Sequence, residues 1–152
     1  MTHLSDANAQ RFPVSVKGVI LGGAQVILLK NERDEWELPG GKLEPGEDIL
    51  ECLAREIDEE LSIPVRVGCL LDAWVYPIHS VEVLILTYDC HISAAVSPKI
   101  SHEHKELGLF RMHQLDEIPL PDGYKKAIRD AFRKKQSDAT PLATFLPGDE
   151  QQ

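Results

Sequence analysis

Residues 40–63, GGKLEPGEDILECLAREIDEELSI, constrain this chain more than any other stretch. A glycine-rich turn leads into a helix of about four turns, whose last turns carry Arg55, Glu56, Glu59 and Glu60. Pro45-Gly46 breaks whatever precedes the helix. Asp48 with Glu51 three residues later is a capping-box pattern, and Glu47 adds negative charge at the positive end of the helix dipole. With Glu56 set at zero, Leu53, Ile57, Leu50 and Leu61 fall at about +60°, +100°, +120° and +140°. These four form the expected core stripe. Glu59 falls near about −60° and Glu60 near about +40°, between Ile49 and Leu53 at the edge of the apolar face.

That arrangement is unfavourable in a plain surface helix. Like charges three and four residues apart repel, and a carboxylate at the core edge loses hydration. Arg55 reaches Glu59 at i+4 and Glu51 at i−4, but one guanidinium does not neutralise so many acids. A hard divalent cation with oxygen ligands does, and magnesium is the usual one where phosphates are also bound. A solvated acidic face is the competing explanation. The Gly-Gly turn and the core-edge position of Glu60 weigh against it.

These residues resemble the signature of the Nudix hydrolases, G-x5-E-x7-R-E-U-x-E-E-x-G-U with U a bulky aliphatic. Gly41, Glu47, Arg55, Glu56, Ile57, Glu59, Glu60 and Ile63 match in register. Ser62 stands where the signature has glycine. At the left-handed end of a helix serine costs on the order of 1 kcal/mol, a capping penalty and not a lesion in the chemistry. The resemblance implies a metal-binding core of Glu56, Glu59, Glu60 and the Gly40 carbonyl. It also implies one more acid from the loop before the last strand, Glu103 as first choice and Glu106 as second. Mg²⁺ is the implied ion, with Mn²⁺ as a substitute. Glu56 is the expected general base, Arg55 orients the glutamates, and Glu47 is placed to pair with Arg55. Trp36, Gly41, Lys42 and His79 are candidate substrate contacts.

The rest of the chain is read around this box. Its 152 residues suffice for one domain with a real core. The net charge of −9 argues against a nucleic acid polymer as partner and leaves room for a small phosphate ligand held through metal. Cys52, Cys69 and Cys90 show no zinc or disulfide spacing and read as reduced, buried residues of a cytoplasmic protein. No signal peptide and no membrane span is expected. Residues 1–12 read as a loose arm, 13–135 as the catalytic domain and 136–152 as a tail in which Leu142, Phe145 and Leu146 pack back. A strand from Val14 to about Leu21 turns at Gly22-Gly23 into Gln25–Lys30, and Trp36–Leu38 is a short strand. Residues 65–76 and 81–92 are two long strands joined by a broad loop from Pro77 to Ser80. Leu107–Met112 is the last strand. Asp122 is expected to cap a helix to about Lys134, with Ala127, Ile128, Ala131 and Phe132 inward.

Pattern alone gives an α/β or α+β chain with a mixed sheet. The resemblance narrows this to a three-layer α/β/α sandwich. It implies hydrolysis of the diphosphate linkage in a nucleoside diphosphate joined to another group. A (deoxy)nucleoside triphosphate is the expected substrate, and ADP-ribose or a nucleotide sugar is the alternative, to which Pro77 is a pointer. Two readings of other classes stand beside it: a nucleotide-sensing module without catalysis, and an isomerase of the isopentenyl-diphosphate type relying on a cysteine such as Cys52. The expected partner is a small nucleotide; a homodimer is left open.

Overall fold

The computed structural model describes residues 9–104, 106–138 and 143–148. Strand β1 (Val14–Gly22) is the hub, because it is paired along both edges. On one edge it runs parallel to β6 (Val81–His91), from Val14↔Leu84 to Ile20↔Cys90. On the other it divides. Ser15–Lys17 pair antiparallel with β4 (Gly40–Lys42), and Leu21–Gly22 pair antiparallel with β2 (Gln25–Lys30). At the division Gly18 N–H donates to the Pro39 carbonyl at 2.9 Å. β2 also pairs with β3 (Trp36–Glu37) and β7 (Glu106–Arg111), and β5 (Arg66–Ile78) lies outside β6. The sheet is mixed, as the sequence implies.

Side chains alternate across the sheet and build two cores. On one face Val19, Leu21, Val26 and Leu28 meet Tyr124, Ala127, Ile128 and Ala131 of α2 (Asp122–Gln136). On the other, Val16, Ile20, Ile27 and Leu29 meet Leu53, Ile57 and Leu61 of α1 (Ile49–Leu61). The result is the three-layer α/β/α sandwich. α1 starts where expected: Asp48 Oδ1 accepts from Glu51 N–H at 3.0 Å. It ends on Ser62 in the left-handed region, at φ 56°, with Ser62 N–H donating to the Asp58 carbonyl at 2.8 Å.

Several local expectations need correction. Leu50 is 44% exposed, so the buried arc of α1 runs from Cys52 through Glu60, Leu53 and Ile57 to Leu61 and reaches Leu50's side only in the last turn. The first hairpin turns at Gly23-Ala24, one residue later than expected, with Gly23 at φ +60°. The β5–β6 connection is not a broad loop. Pro77 and Ile78 continue the strand opposite Glu82 and Val81, and only His79 and Ser80 turn. Proline is tolerated there because β5 is an edge strand and needs no N–H on its outer side. β7 begins at Glu106, and α2 is capped from Pro121, with Asp122 inside its first turn. Phe132 is only partly buried, while Tyr124 fills the core. Cys52 and Cys90 are buried, but Cys69 is exposed on β5. In the tail, Val96 bridges Phe145, which packs on the α1 core, and Leu146 is exposed; Leu142 and residues 1–8 lie outside the described residues. Among the described residues no helix is long and apolar enough to cross a membrane.

Candidate functional site

The site forms where β4 meets the last turns of α1. Gly40 has φ +142°, and a Cβ there would stand 2.0 Å from the Val16 carbonyl oxygen. Only glycine fits, and this close approach lets the Gly40 N–H point at α1, where it donates to Glu60 Oε1 at 3.2 Å. A Cβ on Gly41 would lie 2.5 Å from Glu56 Cδ. The two glycines therefore make the floor on which two box carboxylates rest.

The glutamates differ sharply in environment. Arg55 gathers the outer ones: Nη2 donates to Glu47 at 2.9 Å, and Nη1 lies 3.1 Å from Glu59 and 3.5 Å from Glu56. Its own pKa is raised by these bonds, Glu47's first. Glu56 is pushed up by burial and by the like charges of Glu59 and Glu103, against Arg55. Glu60 is 3% exposed, and burial raises its carboxyl to about 7 despite Lys17 and His104 nearby. Its Oε2 is buried without a hydrogen-bond partner.

A second group of residues adjoins Glu60, from β1, β3 and the loop before β7. Glu37 lies 3.9 Å from Lys17 Nζ, accepts from Asn31 Nδ2 at 3.2 Å, and sits 3.1 Å from His104 Nε2. Burial works against Glu37's charge, but Lys17, His104 and Asn31 outweigh it and hold the carboxyl down at about 2. Lys17 is raised despite burial, by Glu37, Tyr124, Glu60 and Glu56. His104 is raised first by its bond to Glu37, and its Nδ1 lies 3.8 Å from Glu60 Oε2. Lys17 and Glu37 carry no site signal in the sequence, and His104 carries only its place among neighbouring histidines and acids in the run 102–106, which suggest metal without a zinc spacing.

Other expected residues fall variously. Glu103 is exposed on its loop and close enough to Glu56 to raise its pKa, while Glu106 opens β7 and pairs with Lys30 at 3.7 Å. Glu103 therefore stands on the site side and Glu106 is engaged elsewhere. Trp36 is 6% exposed, edge-on to Phe110 at 4.8 Å, and lines a cavity together with Lys17 and Glu37. Lys42 is exposed at the end of β4, and His79 is exposed in the hairpin turn with φ 55°. Cys52 is buried, its Sγ 3.9 Å from the Lys42 carbonyl and its thiol pushed up by burial, which suits packing and not nucleophilic work.

The donor set fits a divalent cation on three observations: an unpartnered buried carboxylate oxygen on Glu60, Glu56 crowded by Glu59 and Glu103, and glycines that open the floor beside both. Among the described residues no three His, Cys, Asp or Glu side chains already stand together at ligand spacing. Arg55 Nη1 holds Glu59 at 3.1 Å and Glu56 at 3.5 Å on its own side. A cavity of about 150 Å³ opens on the other side of Lys17 and Glu37, with Tyr76, Ile78 and Tyr124 among its walls.

Several known proteins resemble this chain in sequence and fold. A family model described as the NUDIX domain matches residues 11–132. An ADP-ribose pyrophosphatase of Methanocaldococcus jannaschii is 27% identical over 128 residues, 80% of this chain and 74% of that protein. The nucleoside triphosphatase NudI of Escherichia coli is 31% identical over 109 residues, 62% of this chain and 74% of that protein. A MutT protein from Methanosarcina mazei superposes with a TM-score of 0.72 at 24% identity, over 84% of this chain and 98% of that one.

Proposed function

The chain belongs to the Nudix family of hydrolases, which act on nucleotide-linked diphosphates, and on that premise we propose that it is a Mg²⁺-dependent pyrophosphatase of (deoxy)nucleoside triphosphates. What supports the substrate choice is the likeness to the nucleoside triphosphatase NudI, 31% identical over 109 residues. Lys17, whose charge acts on Glu60, also lines a cavity of about 150 Å³ together with Glu37. That volume suits one base, a group that every candidate substrate carries.

Glu56, Glu59 and Glu60 would hold the cation, with the Gly40 carbonyl and Glu103 as further ligands. When bound, the cation neutralises phosphate oxygens and acidifies the attacking water. Glu56 is the group that takes the water's proton. Its raised pKa brings it nearer the working range of a general base. Arg55 keeps Glu56 and Glu59 at fixed positions on one side of the site. Gly40 and Gly41 leave room for phosphate oxygens to approach the backbone. Lys42, exposed beside Gly41, is placed to meet phosphate charge.

The relative of Methanocaldococcus jannaschii supports a second reading, cleavage of ADP-ribose or a nucleotide sugar. Pro77 does not bear on it, since it continues a strand. The chemistry of the site is the same for both; only the group carried on the second phosphorus differs. A panel of nucleoside triphosphates, ADP-ribose, nucleotide sugars and dinucleoside polyphosphates, incubated with Mg²⁺ and resolved by chromatography, separates them. Monophosphate plus pyrophosphate from triphosphates is expected. Monophosphate plus ribose 5-phosphate from ADP-ribose as the preferred reaction favours the second reading.

A further inference from the structure

The space between His104 and Glu60 is left unexplained by the protein's own groups. Glu37 stands between Lys17 Nζ at 3.9 Å and the Asn31 amide at 3.2 Å, which hold it as a carboxylate. A carboxylate only accepts, so the His104 Nε2 lying 3.1 Å from it carries the hydrogen. In the neutral ring Nδ1 then presents a lone pair. That nitrogen is buried and has no hydrogen-bond partner. It faces Glu60 Oε2, also buried and unpartnered, across 3.8 Å.

A proton on either group does not join them, because 3.8 Å is beyond hydrogen-bond reach, so both atoms stay unsatisfied unless a cation lies between them. Neither group turns away easily. Gly40 N–H holds Glu60 by Oε1, and Glu37 holds the imidazole by Nε2. A carboxylate on the far nitrogen is the usual support of a metal-ligating histidine, fixing its tautomer and orientation. Two ligands of one ion at about 2.1 Å stand from about 3.0 Å apart when adjacent to about 4.2 Å when opposite. The observed 3.8 Å lies within that span.

Resting on the metal-assisted reading given above, we propose that His104 Nδ1 and Glu60 Oε2 ligate the same divalent cation, with Glu37 as the positioning residue behind His104. The loop before β7 thus supplies a nitrogen ligand in addition to, or in place of, the carboxylate of Glu103. An imidazole nitrogen favours transition-metal ions over magnesium, so the site discriminates against Mg²⁺, toward Mn²⁺ and further toward later first-row ions, more than an all-oxygen site does.

The test is pulsed electron paramagnetic resonance on the metal-free full chain loaded with Mn²⁺. The wild-type spectrum shows modulation from a directly bound imidazole nitrogen. His104→Gln removes it and His102→Gln keeps it. Glu37→Gln keeps the modulation and weakens Mn²⁺ binding by about 10- to 100-fold. Calorimetry on His104→Gln shows the preference for Mn²⁺ over Mg²⁺ falling by at least about 10-fold. Bound Mn²⁺ without nitrogen modulation overturns the proposal and leaves metal-assisted hydrolysis standing; absence of any Mn²⁺ binding overturns both. Modulation that survives His104→Gln, or an unchanged metal preference, also overturns it. The wild-type spectrum decides the question even if a variant fails to fold.

Discussion

Gly40 and Glu60 stand twenty residues apart in the chain and are joined directly, Gly40 N–H donating to Glu60 Oε1 at 3.2 Å. This bond ties the glycine turn to the end of the box helix. It leaves Glu60 with one satisfied oxygen and one orphan, inside a helix face that is otherwise apolar. The two glycines that make this junction possible do different work, and their substitution separates fold from chemistry.

Gly40→Ala is expected to destabilise by at least about 2 kcal/mol, because the new Cβ meets rigid backbone and the φ of +142° is strained for alanine. Gly41→Ala meets only the far end of the Glu56 side chain, which can swing aside. Its stability should change by less than about 1 kcal/mol, while turnover falls about 10-fold or more as Glu56 is displaced. Urea denaturation and steady-state kinetics on both variants check this. Equal stability losses in the two would contradict it.

Ser62→Gly should stabilise the protein by up to about 1 kcal/mol with unchanged turnover. Ser62 sits at φ 56° as the C-cap of α1, where glycine carries no Cβ penalty. The midpoint of urea denaturation should rise at constant slope.

The metal-free protein should lose stability from about pH 5 to pH 8. Glu60 is raised from 4.5 to about 7, so its contribution is full below 4.5 and lost as pH rises through about 7. The size is on the order of 3 kcal/mol. His104, also raised, acts in the same direction above its ordinary value of 6.5. Glu37, held at about 2, contributes above 4.5 and fails only as pH falls toward 2. Denaturation in chelator across this range should show the slope, Glu60→Gln should flatten it, and a divalent cation should restore stability at pH 8.

The features legible in the sequence were local. The cap at Asp48, the left-handed Ser62 and the core-edge angle of Glu60 all depend on positions a few residues apart. The features that were not legible join distant elements: Glu37 and His104 are 67 residues apart and meet only because β3 and β7 flank the same strand. Ranking Glu103 before Glu106 turns on which way a loop residue faces, which no period fixes. Trp36 lies in a strand too short for alternation to reveal its buried side. Pro77 reads as a loop signal, and only the edge position of β5 makes it a strand residue.

The most direct measurement compares wild type with Glu59→Gln and Glu60→Gln for Mg²⁺-dependent release of pyrophosphate from nucleoside triphosphates, with circular dichroism to confirm that each variant is folded. The expected result is turnover reduced by at least about 100-fold in both folded variants. Wild-type rates in either one would contradict the assignment of this acidic helix face as the catalytic metal site.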